Sequence, residues 1–359
     1  MREPNIRYLA LETMSRMADI DRRNKLIKKY VKVFFKNLRD KDISIRKIAL
    51  NSLFGLCDAQ VAGEVVNEIL DYLQENDYEL KEEMTLKVAI LAEKFAENLN
   101  WYIDVIVKLI EYAGDYVNED LWFRVAQIIT GFGAAEPNGQ LQKYAALKMF
   151  DVCKAPSLHE TLIKIGTYVL SEFGYLIADA DGKSARDQYD LLQKHFYVVT
   201  NPTKAMMLTA YMKMLRSAPT LTSPVYTLLQ NYREHWDAEL QQRACEYIAM
   251  LELSKDDGAM QALCMSALDR MPNFSEELQT NNVLTRRILE LKVQKGFAIN
   301  KEEAEKSMRA NMKKYTTAVS SALTDNQRRS ALPGIDLDGV QGARKFGTGV
   351  GPNLPNMPI

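Results

Sequence analysis

The residues that supply most metal-binding and nucleophilic chemistry are scarce in this chain. Its 359 residues include three histidines and four cysteines. His159, His195 and His235 lie in different segments, and none stands four residues from another histidine or from a cysteine. Cys153 and His159 are six residues apart but lack the two further ligands that a zinc site needs. The sequence therefore predicts no metal site and no cofactor.

Motifs for catalysis are also missing. No serine stands in a G-x-S-x-G turn, and no cysteine has a recognisable nucleophile context. The stretch GFGAAEPNG (131–139) lacks G-x-G-x-x-G spacing, and no strand is predicted before it, so a phosphate-binding loop is not indicated. Glu82 and Glu83 are better explained as a solvated helix face than as an acid/base pair. We expect no catalytic residues, and hence no enzyme.

The charge of the chain does not indicate binding to nucleic acid, and its hydropathy does not indicate a membrane-spanning segment. The net charge is −1 and the pI is about 6.4, so no global basic field attracts nucleic acid. No apolar run approaches the roughly 18 to 20 residues that cross a bilayer, and MREPNIRYLALETM lacks the features of a secretory signal. The cysteines show no disulfide framework, which favours reduced core residues in a cytosolic protein. These cysteines are Cys57, Cys153, Cys245 and Cys264.

What the chain does contain is a recurring helical pattern. Five times an aliphatic residue is followed by apolar residues at +4, +8 and +11, which fall on one stripe of a helix. The first three repeats start 39 and 35 residues apart, and IRYLALETM at Ile6 matches IRKIALNSL at Ile45 in kind. This period predicts an all-α, right-handed α-solenoid of HEAT/armadillo-like helix pairs whose stripe residues form the core. The five sets are Ile6/Ala10/Met14/Met17, Ile45/Ala49/Leu53/Leu56, Leu80/Met84/Val88/Leu91, Leu141/Ala145/Met149/Val152 and Leu240/Ala244/Ile248/Leu251.

The same reading divides the chain into three parts. We expect a helical-repeat trunk at 1–270, a charged and partly helical hinge at 271–330, and a disordered Gly/Pro-rich tail at 331–359. Because the pattern is in phase by Ile6, we also expect the chain to begin inside a longer array. Asp42, Asp77 and Asp237 are predicted to cap the helices that follow them. The first helices are predicted at 6–18, 24–38, 43–57, 62–74, 79–97 and 101–113.

Three groups of residues are candidates for binding. A basic cluster could contact anionic lipid headgroups, although a solvated helix face is the simpler explanation. Aromatic residues of the rear half could anchor a partner, or could fill the core of the solenoid itself. The tail segment LPGIDLD is similar to short clathrin-docking motifs. The three groups are Arg22, Arg23, Lys25, Lys28, Lys29 and Lys32; Tyr168, Phe173, Tyr211 and Trp236; and Leu332, Ile335 and Asp336.

Several stretches resemble alpha-adaptins, the large subunits of the plasma-membrane clathrin adaptor. The resemblance covers about 5–275, and LKVAILAEK and EDLWFRV favour the alpha type over the gamma type. It rests on NIRYLALETM (5–14), AGEVVNEILDYL (62–73), LKVAILAEKFAENLNWYIDVIVKLIEYAGDYVNEDLWFRVAQII (86–129), APSLHETLIKIGTYVLSEFGYLIAD (155–179), AELQQRACEY (238–247) and MPNF (271–274).

The resemblance implies the rear part of an adaptin trunk followed by a hinge. It further implies assembly with a beta-adaptin and with medium and small adaptor chains, contact with clathrin, and a cytoplasmic position on phosphoinositide-containing membrane at coated pits. The family's best-known lipid-binding lysines lie in the front part of the trunk and have no counterpart here. A scaffold of another trafficking or transport complex is the alternative that periodicity alone allows.

Overall fold

A computed structural model describes residues 3–20, 30–74, 78–96, 98–133, 139–255, 258–275 and 284. All of them belong to one compact unit, Met1–Ala304. Asp77 and the predicted tail lie outside the described residues. The α-helices of this part of the chain are α1 (Pro4–Ile20), α2 (Val31–Leu38), α3 (Ile43–Leu56), α4 (Ala62–Leu73), α5 (Tyr78–Phe95), α6 (Leu99–Ala113), α7 (Glu119–Thr130), α8 (Gln140–Val152), α9 (Glu160–Phe173), α10 (Ala185–Phe196), α11 (Asn201–Met214), α12 (Thr222–Tyr232), α13 (Ala238–Leu253) and α14 (Gly258–Ala267).

The helices stack in two layers, as an α-solenoid requires. Odd-numbered helices contact the next odd-numbered helix, as in α1 with α3, α9 with α11 and α11 with α13. Even-numbered helices form the second layer, in which α4 contacts α6 and α6 contacts α8. Each even helix from α2 to α14 also packs on the odd helix beside it in the chain. The predicted helical-repeat fold is therefore confirmed, and none of the described helices combines the length and hydrophobicity that crossing a bilayer requires.

Side-chain caps begin several of these helices where the sequence indicated. The Asp42 carboxylate accepts a hydrogen bond from the Ser44 amide, and the Asp237 carboxylate accepts from the amides of Glu239 and Leu240. Each bond satisfies an amide that the first helical turn leaves without a partner. The predicted caps at Asp42 and Asp237 are confirmed.

The predicted stripe forms the core in the middle of the array but not in α1. All four stripe positions of α3, α5 and α13 are buried, as are Ala145 and Met149 in α8. In α1, however, Ile6 and Met17 are about half exposed, and Leu11 is the buried residue. The reason is that α1 meets α3 with the side that carries Leu11, and the described residues place no helix against its other side. The stripe prediction is therefore wrong for Ile6 and Met17.

Polar contacts join neighbouring odd helices at a spacing of one repeat. The Thr130 hydroxyl in α7 lies 2.6 Å from the Tyr168 hydroxyl in α9, and the Thr209 hydroxyl in α11 lies 2.8 Å from the Tyr247 hydroxyl in α13. Both pairs join residues 38 apart. Each threonine also hydrogen-bonds to an alanine carbonyl one turn earlier in its own helix. The same threonine–tyrosine contact thus recurs two repeats later, which supports the repeat period found in the sequence.

Two buried cations belong to the same set of contacts. Arg124 of α7 donates from Nη2 and Nε to the Glu93 carboxylate of α5 at 2.6 to 3.2 Å, and its side chain is only 2% exposed. Lys87 of α5 is 1% exposed and contacts Glu83, at 2.7 Å, and Asn51 of α3. Charges this deeply buried require such partners, because an unpaired buried charge costs several kcal/mol.

The C-terminal part of the described chain returns to the trunk. Residues 271–274, which the sequence assigned to the hinge, contact α9 and the loop after α7. Leu284, which also falls in the predicted hinge, is fully buried in the same hydrophobic cluster as the trunk helices. Trunk contacts therefore extend past the predicted boundary at residue 270.

Placing a charge on the stripe tests the helix phase. Ala49 is fully buried in α3, so Ala49→Asp would bury a carboxylate without a partner and should lower the free energy of unfolding by at least about 3 kcal/mol. The control Ser44→Asp adds the same charge at an exposed position in the first turn, where the helix dipole favours it. Chemical denaturation measures both variants. A loss below about 1 kcal/mol for Ala49→Asp would mean that the phase is wrong.

Two tyrosines make a matched test of the polar contacts. Tyr168→Phe removes the hydroxyl bonded to Thr130 and should destabilise the chain by about 1 kcal/mol. The buried Tyr211 hydroxyl has no hydrogen-bond partner among the described residues, so Tyr211→Phe should be neutral or stabilising. Urea denaturation of the two variants, compared side by side, checks the order. A larger loss for Tyr211→Phe than for Tyr168→Phe would contradict the assigned contacts.

Candidate interaction surface

One edge of the solenoid is built from the loops that precede odd-numbered helices. We call the loops before α7, α9, α11 and α13 the N-terminal edge, since each ends at the N-terminus of an odd helix. All three histidines of the chain lie on or beside this edge. Successive loops are tied by polar contacts: His159 Nε2 lies 3.3 Å from Asp115 Oδ1, His195 Nε2 lies 2.8 Å from the Cys153 carbonyl oxygen, and Asn201 Nδ2 donates to Asp237 Oδ2 at 3.1 Å. The edge is therefore a continuous surface across four repeats.

Apolar side chains project from the last two loops of this edge. Tyr197 is 67% exposed, Val198 77% and Trp236 83%. Tyr197 and Val198 follow α10, and Trp236 lies between α12 and α13. We call these three residues the aromatic corner. Aromatic residues at this exposure are the type that a partner protein buries with the largest gain in binding energy.

A chain of ring contacts supports the aromatic corner from below. The buried Phe196 ring lies 5.6 Å from the Tyr197 ring and 5.6 Å from the Tyr232 ring. The His235 ring lies 5.2 Å from Tyr232 and 5.4 Å from Trp236. Phe196 itself is fully buried in the core. The exposed rings are thus held in place by contacts with buried rings. This lowers the conformational entropy that they lose when a partner binds.

Carboxylates on this edge are held in the ionised form. The Leu240 amide, together with the Asn201 side chain and the Glu239 amide, lowers the pKa of Asp237. Burial alone would raise the pKa of Glu160, but hydrogen bonds from Thr200 and Thr203 lower it overall. Both groups therefore carry negative charge at neutral pH, at the N-terminal ends of helices that stabilise such charge.

The four predicted anchors differ in their placement. Trp236 is exposed and belongs to the aromatic corner, whereas Tyr168 and Phe173 are half-buried and pack against the core. Tyr211 is fully buried against Tyr189, with ring centroids 4.8 Å apart, so it fills the core and cannot contact a partner. Of the two alternatives drawn from the sequence, Tyr211 follows the core alternative because its helix lies between α9 and α13.

Sequence reasoning missed Tyr197 and Val198. They stand in the run FYVV at the end of α10, where Phe196 and Val199 are buried and the two residues between them are exposed. The following Asn201-Pro202 start of α11 was a signal that the helix had ended. Apolar residues in the first positions past a helix end could have marked an exposed site.

The other predicted sites lie mostly outside the described residues. Of the basic cluster, only Lys32 is described, and it is exposed on α2. The remaining members at 22–29, and the tail residues Leu332, Ile335 and Asp336, fall outside this range.

The cysteines show why thiol chemistry is not indicated in the core. Burial raises the pKa of Cys57 and of Cys153 to about 12, so both thiols are protonated at neutral pH. Cys264 is also buried, but Cys245 is exposed on α13. The expectation of a core position is wrong for Cys245. Within the described residues no group of three or more His, Cys, Asp or Glu could hold a metal ion.

This difference in exposure predicts the labelling pattern of the native chain. Ellman's reagent at pH 8 should react fast with Cys245 and slowly with Cys57 and Cys153, which are buried and protonated. Cys245→Ser should remove the fast phase, whereas Cys57→Ser should leave it unchanged. A fast phase that survives in Cys245→Ser would place a second thiol on the surface.

Comparison with known proteins finds a family and relatives that cover most of this chain. Residues 1–255 match the family model described as Adaptin N terminal region. The chain is 42% identical over 283 residues to the AP-2 complex subunit alpha-2 of Dictyostelium discoideum, covering 79% of this chain and 27% of that protein. It is 42% identical over 280 residues to the AP-2 complex subunit alpha-2 of Arabidopsis thaliana, covering 77% and 26%. This chain thus spans about a quarter of the length of these relatives.

A structural comparison supports the same fold. A chain of a homology model of the full-length AP-3 complex in an intermediate open conformation superposes with a TM-score of 0.53 at 14% identity, covering 75% of this chain and 53% of that chain. At that identity the likeness concerns the fold. The family match and the relatives together confirm the resemblance found in the sequence: this chain belongs to the adaptin family, and its sequence is similar to the alpha subunits of AP-2 complexes.

Proposed function

We propose that this chain is a structural, non-enzymatic part of a clathrin adaptor complex, and that it works by holding other adaptor chains. In this role it helps to link membrane cargo to the clathrin coat during endocytic vesicle formation. Its partners would be a beta-adaptin and the medium and small adaptor chains. The similarity to AP-2 alpha subunits supports the class of complex.

The observation that carries this proposal is the aromatic corner. Tyr197, Val198 and Trp236 are exposed on a packed support, at the edge where four repeats are tied together. A second solenoid could cover this edge over an interface of roughly 2,000 Å² or more, as obligate assemblies do. We assign the aromatic corner to the contact with beta-adaptin, because a second solenoid can bury a lateral edge of this kind and Trp236 is the most exposed large hydrophobic residue described.

Membrane and clathrin contacts are further parts of the proposal. The basic cluster from Arg22 to Lys32 would contact phosphoinositide headgroups as part of the whole complex, which would place the chain in the cytoplasm at coated pits. Leu332, Ile335 and Asp336 would supply a clathrin-docking segment. A scaffold in another trafficking complex remains the alternative function, and it predicts no preference for beta-adaptin.

Co-expression with a beta-adaptin trunk tests the assignment. The two chains should elute as one complex on size exclusion, and Tyr197→Ala with Trp236→Ala should weaken the complex by about tenfold or more, because exposed aromatic anchors carry most of the binding energy.

The matched control is Phe123→Ala, which removes an aromatic residue that is 48% exposed on α7, outside the aromatic corner. It should leave binding unchanged. A chain that stays monomeric beside beta-adaptin would remove the adaptor-assembly proposal. Binding that is equally strong in the double variant would keep the assembly but move the contact elsewhere.

A further inference from the structure

The last described stretch of the chain runs backwards along the solenoid. Residues 268–274, which we call the strap, follow α14 and pass the C-terminal ends of α11, α9 and α7 in that order. These ends lie opposite the N-terminal edge. The strap begins at the buried Leu268, and most of its other side chains are exposed.

Its first contacts are with α11 and α9. Asp269 forms an ion pair with Arg216, just past the end of α11. The Arg270 guanidinium carbon lies 3.7 Å from the centre of the Tyr175 ring, next to the C-terminus of α9. The Met271 amide donates to Glu172 Oε2 at 3.0 Å, and the other oxygen of that carboxylate pairs with Lys213 of α11. The strap thus adds bonds to a carboxylate that already joins two repeats.

Its last contacts are with the loop after α7 and are mainly between backbones. The Phe274 amide donates to the Gly131 carbonyl at 3.0 Å, and the Gly133 amide donates to the Phe274 carbonyl at 2.9 Å. The Asn273 side chain donates to the Gly133 carbonyl at 3.0 Å. Gly131 has a φ of +104°, which glycine adopts without strain. The loop after α7 is therefore shaped to receive an extended segment.

The contacts of the strap join residues that are farther apart in the sequence than the other polar contacts between odd helices. The polar contacts between neighbouring odd helices join residues 31 to 45 apart, as in Arg124 with Glu93 and Lys164 with Glu119. The strap joins residues 53, 99 and 140 apart. In a solenoid whose repeats contact only their neighbours, small rotations between repeats add up along the array. A segment fixed to three successive odd helices opposes that accumulation.

We propose that the strap sets the curvature of the solenoid between α7 and α11. The strap can do so because its two ends are bound next to α11 and α7. These two helices are not adjacent in the odd-numbered layer, since α9 lies between them. A cavity of about 170 Å³ between the strap and the ends of α9 and α11 is lined in part by Lys213, Arg216 and Arg270. Beside the buried Leu268, the strap is held on these helix ends by discrete polar contacts. This inference concerns the trunk itself and does not depend on which adaptor chains bind it.

Phe274→Pro tests the strap in the full chain, because proline lacks the amide that donates to Gly131. Phe274→Ala keeps that amide and is the control. Trypsin cleavage after Arg270 reports release of the strap, and should be about tenfold faster in Phe274→Pro. Spin labels at Lys143→Cys in α8 and Gln242→Cys in α13, in a Cys245→Ser background, report the curvature through their distance distribution. Both label sites are exposed.

We expect one narrow distance distribution in the native chain and in Phe274→Ala, and a distribution about twofold wider in Phe274→Pro. Faster cleavage with an unchanged distribution would show that the strap leaves without altering the curvature, which overturns the proposal. Unchanged cleavage would show that the Phe274 amide does not hold the strap, which overturns it as well. If the proline variant misfolds by circular dichroism, Asp269→Asn with Asn273→Ala removes side-chain contacts at both ends without a backbone change, and the same two readings decide.

Discussion

The contact between one odd-numbered helix and the next is the constraint on which this structure depends. Each helix pair has an apolar stripe that it cannot bury alone, and the neighbouring pair covers it. Apolar packing of this kind is not directional, so it does not by itself define how far one helix is rotated against the next. The polar contacts between the helices fix this rotation. Arg124 with Glu93, Thr130 with Tyr168 and Thr209 with Tyr247 each join one repeat to the next through geometry that tolerates little sliding.

Much of this fold could be predicted from local sequence because the physics is local. The period of apolar residues located α3, α5 and α13, and the side-chain caps at Asp42 and Asp237 located two helix starts. The prediction was wrong where burial depends on what lies beside a helix rather than on the helix itself. Ile6 and Met17 follow the same pattern as buried residues of α3, but α1 has a described neighbour on one side only.

The candidate site was harder to predict for the same reason. Tyr211 and Trp236 look alike as aromatic residues in helical sequence, yet Tyr211 is buried between neighbouring odd helices and Trp236 stands on a loop between α12 and α13. The strap could not be predicted at all from periodicity, since MPNF has no pattern and its contacts lie up to 140 residues away. The two edges of the solenoid thus differ: one carries the exposed aromatic corner that we propose as a partner contact, and the other is bound by the strap.

The buried pair of Arg124 and Glu93 tests the account most directly, because it joins α5 to α7 through polar geometry. The measurement is a double-mutant cycle of Arg124→Met and Glu93→Gln, with the free energy of unfolding measured for the native chain, both single variants and the double variant. The account predicts that Arg124→Met costs about 3 kcal/mol and that the coupling energy between the two sites is at least about 1.5 kcal/mol. A coupling energy near zero would contradict the claim that directed polar contacts, rather than apolar packing alone, hold successive repeats in register.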